Sequence, residues 1–212
     1  MSPSNQNHFE KELKLDLQNQ ALFERLLRHF SWQKTPLLQT NYFFDTPEGF
    51  LRSCRYALRI RNENGNFLLT VKGPRLSSGD LVVRNEIECP LPPETAQNLL
   101  KNPNLFFTLG LPPFQWLEEK TESLNKLSLI QNLSFKNERH PVHLSSEEGL
   151  ICLELDKTEY SDGSLFYELE AEFQTEEQYQ KARVRIESLF LELGIPWKIS
   201  EVSKYARGLL RL

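Results

Sequence analysis

Charged residues of like sign recur at alternate positions along several short segments of this 212-residue chain. The repeats are Glu10/Glu12, Arg59/Arg61, Glu86/Glu88, Glu154/Asp156 and Glu168/Glu170. Paired carboxylates favour a hard divalent cation such as Mg²⁺ or Mn²⁺, because these ions prefer oxygen ligands. Paired arginines favour a polyanion, because the guanidinium fork binds two phosphate oxygens at once. Together the pairs indicate metal-assisted chemistry on a phosphorylated small molecule.

A solvent-exposed sheet face is the other explanation for these charges, because an antiparallel sheet often leaves one face in water. For any single strand this explanation is the simpler one. Like charges brought together on a sheet destabilise it, however. Five such pairs in one chain therefore favour a site where bound ions of opposite sign neutralise them.

Segments of alternating polarity, which are typical of strands, carry these pairs. Asn64-Gly65 and Asp162-Gly163 between them are hairpin signals, because these residues tolerate positive φ. Short hairpin links favour an antiparallel sheet over a parallel one. The predicted strands are His8–Leu17, Leu38–Asp45, Cys54–Arg61, Phe67–Gly73, Leu81–Cys89, Gln131–Arg139, Leu150–Thr158 and Leu165–Phe173.

Helical segments lie between and after the strands. The clearest one has a capping box formed by Thr175 and Gln178, an apolar stripe that includes Ala182 and Ile186, and a terminating Gly194. Such a stripe predicts packing against the outside of a sheet. The predicted helices are Gln20–Phe30, Pro93–Asn102, part of Pro113–Leu127, Glu176–Leu193 and Ser203–Leu210.

The charges fall on one face of each strand and the apolar residues on the other. About eight strands can close into a barrel with room for side chains or one small ligand. The apolar faces then point outward, where the helices cover them. We therefore predict an α+β fold: a closed eight-stranded antiparallel β-barrel, or tunnel, with helices on the outside. Residues 1–7 are expected to be disordered, and residues 8–212 to form one domain.

Bulk composition narrows the function. The net charge of −4 argues against a nucleic-acid partner. No apolar run is long enough to span a bilayer, and no signal peptide is evident. Three widely spaced cysteines fit a reducing, cytoplasmic location. The four histidines are expected on the surface rather than in catalysis. The oligomeric state is not predicted.

Several short motifs appear in the order found in a known family. Glu10 to Lys14 reads E-x-E-x-K, Tyr42 to Pro47 reads Y-F-F-D-T-P, and Leu58 to Arg61 reads L-R-x-R. The later elements are T-x-K-G at Thr70 to Gly73, R-x-E-x-E at Arg84 to Glu88, Leu153 to Asp156 with Tyr160 and Gly163, Tyr167 to Glu170, and S-K-Y at Ser203 to Tyr205. This order resembles the CYTH, or triphosphate tunnel metalloenzyme, family over about residues 8 to 210.

The resemblance implies an eight-stranded tunnel that hydrolyses a triphosphate with Mg²⁺ or Mn²⁺. It implies metal ligands of first choice at Glu10, Glu12, Glu168 and Glu170, and of second choice at Glu86, Glu88 and Asp156. The phosphate path would be lined by Lys14, Arg59, Arg61, Lys72, Arg84, Arg139 and Lys204. Lys14 and Lys204 are the candidate catalytic residues, although a second metal or a carboxylate could activate the water instead.

The resemblance leaves the substrate open among the activities of that family. Inorganic tripolyphosphate is the expected substrate and thiamine triphosphate the alternative. Vertebrate thiamine triphosphatases carry an aromatic residue just before L-R-x-R, where this chain has Ala57, with Tyr56 on the opposite strand face. Adenylate cyclase activity and a non-catalytic polyphosphate- or nucleotide-binding module are further alternatives.

Overall fold

The computed structural model describes residues 6–32, 34–77, 79–146 and 149–212. The strands in these ranges are β1 Gln6–Asp16, β2 Leu37–Asp45, β3 Ala57–Glu63, β4 Asn66–Arg75, β5 Leu81–Leu91, β6 Ile130–Ser146, β7 Gly149–Glu159 and β8 Leu165–Glu172. The α-helices are α1 Gln20–His29, α2 Phe50–Ser53, α3 Pro93–Lys101, α4 Pro112–Lys120, α5 Glu176–Glu192 and α6 Lys204–Leu209. Two 3₁₀ turns cover Pro103–Phe107 and Leu124–Lys126.

The strands form a closed antiparallel barrel in the order β1-β5-β4-β3-β2-β6-β7-β8, and β8 pairs back onto β1. Closure pairs strands that are distant in sequence: Lys14 lies opposite Glu170, and Glu10 lies opposite Arg84. This arrangement confirms the predicted closed eight-stranded antiparallel barrel with helices around it.

The apolar strand faces point away from the barrel axis and are covered by helices. On one side, Leu13 of β1 and Leu169 of β8 pack in a cluster with Phe23 of α1 and Ile186 of α5. On the other side, residues of β3 and β4 pack against α3 and α4 in a second cluster. Each fully buried leucine contributes about 1.5–3 kcal/mol to folding, so the outer layers stabilise the barrel while its interior stays polar.

Local contacts fix the ends of the two C-terminal helices. The capping box of α5 forms as predicted: the Gln178 backbone N–H donates to Thr175 Oγ1, and the Thr175 N–H donates to Gln178 Oε1. In α6, Gly208 lies so close to β6 that an added Cβ would come 2.6 Å from a methyl carbon of Leu133. The Tyr160 hydroxyl donates to the Lys204 carbonyl. These contacts hold the start of α6 against one end of the barrel.

Several predicted boundaries were wrong. The third strand begins at Ala57 rather than Cys54, because α2 intervenes and Arg55 has a φ of 64°. The Asp45 carboxylate accepts hydrogen bonds from three backbone N–H groups around α2, a short helix that the sequence pattern did not reveal. The sixth strand does not end at Arg139 but runs on to Ser146. Its Pro141 is tolerated because pairing with β2 has stopped at Arg139.

Of the segment predicted to be disordered, residues 1–5 lie outside the described residues, whereas residues 6 and 7 pair with β5. His140 is not on the surface: it is 5% exposed and packs edge-on against Phe23 and Trp32 outside the barrel. None of the helices in the described part of the chain is long and apolar enough to cross a membrane.

Candidate active site

The barrel interior, called the lumen below, contains a cavity of about 270 Å³. All eight strands and the start of α6 contribute to its wall. Among the described residues, seven carboxylates and seven cations line it: Glu10, Glu12, Glu86, Glu88, Glu154, Glu170, Glu172, and Lys14, Arg59, Arg61, Lys72, Arg84, Arg139, Lys204. Acidic and basic residues are equal in number on this wall, so the basic residues do not simply repel one another. What distinguishes one wall from another is how completely each cation is paired.

An acidic cluster lies where β1 meets β8. One carboxylate oxygen from each of Glu10, Glu12 and Glu172 lies within 4.8 Å of the others. The register explains the cluster, because Glu12 and Glu172 are direct cross-strand partners. Burial raises the pKa of Glu172, and the neighbouring Glu10 adds to that effect. Three convergent oxygen donors fit a hard divalent cation, which would relieve this repulsion.

Two cations from neighbouring strands keep part of this cluster ionised. Lys72 Nζ donates to Glu10 Oε1 across 2.7 Å and lies 2.9 Å from Glu86. Arg84 Nε donates to the second oxygen of Glu10 across 2.7 Å, and the same guanidinium contacts Glu12. Although burial opposes ionisation, Lys72 and Arg84 hold the pKa of Glu10 well below its ordinary value. Glu10 is therefore ionised, which is the form of a carboxyl group that binds a metal cation.

A second ionic network surrounds Lys204 at the end of the barrel covered by α6. Its ammonium lies 2.7 Å from Glu168 and from Glu170, and 2.9 Å from Asp156. Although burial works in the opposite direction, these three carboxylates raise the pKa of Lys204 well above its ordinary value. Neither oxygen of Glu168 accepts a well-aligned hydrogen bond from any described residue. Lys204 therefore keeps its positive charge, and three carboxylates hold its ammonium group in place.

Two more cations join this network. Lys14 donates to Glu170 Oε1 across 2.7 Å and lies 3.0 Å from Glu12. Arg139 binds both oxygens of Asp156, at 2.8 and 2.7 Å, and donates to Glu170 across 2.8 Å. Burial of an ion pair is favourable only when both charges are well paired, and that condition is met for each of these groups.

The arginine pair of β3 is paired much more loosely. Arg59 donates to Thr70 Oγ1 across 3.0 Å, and its nearest carboxylates, Glu88 and Glu86, are 3.7 and 3.9 Å away. No carboxylate of the described residues lies within 4.0 Å of Arg61. The least neutralised positive charge of the lumen therefore lies on β3, across the barrel from β1 and β8.

The wall beside β3 is uncharged. Gln39, Asn41 and Asn137 contribute amides from β2 and β6. Phe43, Ala57, Phe135 and Tyr205 add an apolar section, within which Phe43 and Tyr205 stack at 4.5 Å between ring centroids. Tyr56 contacts Trp116 outside the barrel and does not line the cavity.

Two lumenal carboxylates have pKa values near neutrality. Burial raises the pKa of Glu86 to about 8, with Glu10 adding to the shift and Lys72 opposing it. Burial likewise raises the pKa of Glu154 to about 7, although Arg139 lies 2.5 Å away. In each case the effect of burial outweighs that of the nearby cation.

The structure brings nearly all the predicted site residues into the lumen. The exceptions are Asp156 and Glu168, which are 0% exposed and lie behind Lys204 rather than on the cavity wall. Glu170 also contacts cations instead of joining the acidic cluster. The assigned roles, as metal ligand or phosphate ligand, stay predictions.

Two lumenal carboxylates were missed by the sequence reasoning. Glu154 was recognised on the polar face of β7 but was not assigned to the site. Glu172 continues the alternation of Glu168 and Glu170 by one further step. That continuation could have identified it, but only the pairing of β8 with β1 brings it to Glu12.

Comparison with known proteins gives one family. A family model described as the CYTH domain matches residues 8–208. Among curated proteins no significant sequence match is found.

Solved structures share the whole fold. A Hippeastrum protein assigned as an adenylyl cyclase, with dominant triphosphatase activity, is 28% identical with a TM-score of 0.83, covering 95% of this chain and 96% of its own. A Bacillus halodurans protein assigned as an adenylate cyclase is 24% identical, with a TM-score of 0.73 and coverage of 95% and 97%. The PH1819 protein of Pyrococcus horikoshii is 20% identical, with a TM-score of 0.58 and coverage of 96% and 99%. The last two likenesses concern the fold alone.

Proposed function

The chain belongs to the CYTH family, and we propose that it is a metal-dependent triphosphatase. Its preferred substrate is inorganic tripolyphosphate, which it cleaves to diphosphate and phosphate. The proposal rests mainly on the division of the lumen into an acidic cluster and a loosely paired arginine wall. A polyanion bound with a metal ion needs carboxylates for the metal and cations for its own charge. The triphosphatase activity of the Hippeastrum relative supports the same reaction class.

The acidic cluster holds the metal in this proposal. Glu10, Glu12 and Glu172 would bind Mg²⁺ or Mn²⁺ through their converging oxygens. The bound ion supplies charge neutralisation of the phosphate oxygens. Glu168 and Glu170, first choices from the sequence, contribute indirectly by holding Lys204 and Lys14 in place.

Phosphoryl transfer depends mainly on positioning and on charge stabilisation. Arg59 and Arg61 bind the phosphate chain from the side opposite the acidic cluster, where their guanidinium groups have the fewest competing carboxylates. Lys14 and Lys204 act as fixed cations and hydrogen-bond donors, not as bases. Neighbouring carboxylates raise the pKa of both ammonium groups against the effect of burial, so neither gives up its proton near neutral pH.

An organic triphosphate such as thiamine triphosphate is the second candidate substrate, because the cavity has an aromatic section. Phe43, Phe135 and Tyr205 line it. A cationic or aromatic ring would bind there by stacking. Phe43 and Tyr205 already stack on each other at an interplanar angle of 15°, however, which occupies one face of each. Their mutual stacking favours the inorganic substrate.

A substrate panel tests the proposal. Phosphate release is measured from tripolyphosphate, thiamine triphosphate and ATP, each with Mg²⁺ and with EDTA, and cyclic AMP is measured alongside the ATP reaction. We expect tripolyphosphate to give the highest kcat/KM, and only with metal. Preferred hydrolysis of thiamine triphosphate would replace the substrate assignment, and cyclic AMP formation would support a cyclase. Binding without turnover of any substrate would support a non-catalytic module.

A further inference from the structure

The amide wall of the lumen is unusual in a barrel whose other polar positions are mostly charged. Gln39, Asn41 and Asn137 are 3%, 2% and 4% exposed. Asn137 Nδ2 donates to Gln39 Oε1 across 3.1 Å, and Gln39 Nε2 donates to Glu63 across 2.7 Å. The Thr158 hydroxyl donates to Asn137 Oδ1 across 2.8 Å. These hydrogen bonds fix the two amides without adding a charge to this wall.

Asn41 is the member of this wall that contacts a cation. Its Oδ1 accepts a hydrogen bond from Arg61 Nε across 3.3 Å. The register makes the two residues direct cross-strand partners on β2 and β3. This is the one hydrogen bond of the Arg61 guanidinium to a described residue. Its two terminal nitrogens are therefore available to the cavity that Arg61 lines.

The charge of Arg61 is kept in a setting that disfavours it. Burial lowers the pKa of Arg61 to about 10, and the positive charges of Arg59 and Arg139 add to the effect. The group is still protonated at neutral pH. Arg61 is a half-buried cation near two others, and its partner is a neutral acceptor. Such a cation is stabilised most by an anion that enters the cavity.

We propose that Asn41 is a positioning residue that orients Arg61 without neutralising it, so that Arg61 binds one phosphoryl group of the substrate independently of the metal. The inference rests on the proposed function and deepens it by assigning to Asn41 the orientation of Arg61. A single amide oxygen occupies only Nε of the guanidinium, which leaves Nη1 and Nη2 for a bidentate phosphate contact.

The absence of charge at position 41 is the essential property. An aspartate has nearly the same shape as asparagine but would form a carboxylate–guanidinium pair with Arg61 and cancel its charge. If Asn41 only filled space, aspartate would serve equally well. The substitution Asn41→Asp therefore separates positioning of a free cation from simple packing.

The experiment measures binding of tripolyphosphate by calorimetry in EDTA, so that neither metal nor hydrolysis contributes. Asn41→Asp is expected to weaken binding by about tenfold or more, the effect of losing one charge-assisted hydrogen bond. Its melting temperature should stay equal or rise, because the introduced carboxylate forms an ion pair with Arg61. Asn62→Asp is the matched control: it adds the same charge on the neighbouring β3 residue, whose side chain accepts from the Gly65 N–H in a turn and does not line the cavity. It should bind within about twofold of the original protein.

Asn41→Ala completes the set, because it removes the orienting oxygen but leaves the charge. It should weaken binding less than Asn41→Asp does. The proposal is overturned if Asn41→Asp binds as tightly as the original protein, or if both Asn41 variants weaken binding equally. It is also overturned if the original protein binds no tripolyphosphate in EDTA. Binding that follows the expected order without any turnover in Mg²⁺ would remove the proposed function and leave this inference standing.

Discussion

The Lys204 ammonium donates a hydrogen bond to Glu170 Oε1 across 2.7 Å and thereby links the first residue of α6 to β8 inside the lumen. The same ammonium compensates Asp156 and Glu168, which are 0% exposed. A C-terminal helix and a barrel strand thus share one buried charge network. Such a network is destabilised strongly when one partner is removed, because the remaining charges stay buried.

Lys204→Ala should therefore lower the free energy of unfolding by about 3–5 kcal/mol. Lys198→Ala is the control. Lys198 makes an equally short contact with Asp16, at 2.6 Å, but is 55% exposed, so its removal should cost less than about 1 kcal/mol. Denaturant unfolding of both variants checks this. Equal losses would mean that Lys204 is not part of a buried network.

Metal binding should stabilise the folded protein through the acidic cluster. Mg²⁺ or Mn²⁺ is expected to raise the melting temperature, as any ligand selective for the native state does. Glu172→Gln should weaken metal binding by about tenfold or more, because affinity depends on the number of charged oxygen ligands. Glu159 is an exposed residue at the end of β7, so Glu159→Gln should leave the metal-induced rise in melting temperature unchanged. If the metal raises the melting temperature of Glu172→Gln as much as that of the original protein, Glu172 is not a metal ligand.

Arg59 and Leu169 should separate function from folding. Arg59 faces the lumen with only loose ion pairs, so Arg59→Ala should leave the melting temperature nearly unchanged while turnover falls by about 10²-fold or more. Leu169 is 0% exposed under the covering helices, so Leu169→Ala should cost about 2–5 kcal/mol of stability. Melting curves measure the stability of both variants, and initial rates measure their turnover. Unfolding of Arg59→Ala with normal turnover per folded molecule would make Arg59 structural.

The pH dependence of stability should carry the signature of Glu154. Its pKa is raised to about 7 in the folded protein, mainly by burial, whereas an unfolded glutamate has a pKa of about 4.3. Between these values the folded state binds more protons at Glu154, so the contribution of this group to stability is fully present below about pH 4 and is lost as pH rises through about 7.

The metal-free Glu154→Gln variant has no such proton to lose. Its melting temperature should therefore fall less steeply between about pH 5 and pH 8 than that of the original protein. Comparing the two slopes cancels the contribution of His140, whose pKa is lowered chiefly by burial. Parallel slopes would show that Glu154 ionises at its ordinary pKa.

The sequence predicted local features of the barrel well, but it did not predict contacts between strands that are distant in the sequence. Side-chain alternation placed Arg59 and Leu58 on opposite faces, because the period of a strand is a local property. The Glu12–Glu172 contact was not predictable in this way, since it arises from the closure of β1 onto β8. Burial of Asp156 and Glu168 behind Lys204 likewise depends on where α6 packs.

Short local signals were missed for a different reason. The helix α2 has four residues, too few to show a helical period, and it is held by hydrogen bonds to Asp45. In the sequence, Asp45 belongs to the Y-F-F-D-T-P motif at Tyr42 to Pro47. In the fold it is 0% exposed and anchors backbone N–H groups instead.

We propose that the lumen hydrolyses a triphosphate held between the acidic cluster and the arginine wall. This claim is tested by ³¹P NMR of tripolyphosphate incubated with the protein and Mg²⁺. The original protein should convert the substrate to diphosphate and orthophosphate, EDTA should stop the reaction, and Glu10→Gln should slow it by about 10²-fold or more while remaining folded. Unchanged tripolyphosphate with the folded, metal-loaded protein, or undiminished hydrolysis by Glu10→Gln, would contradict the claim.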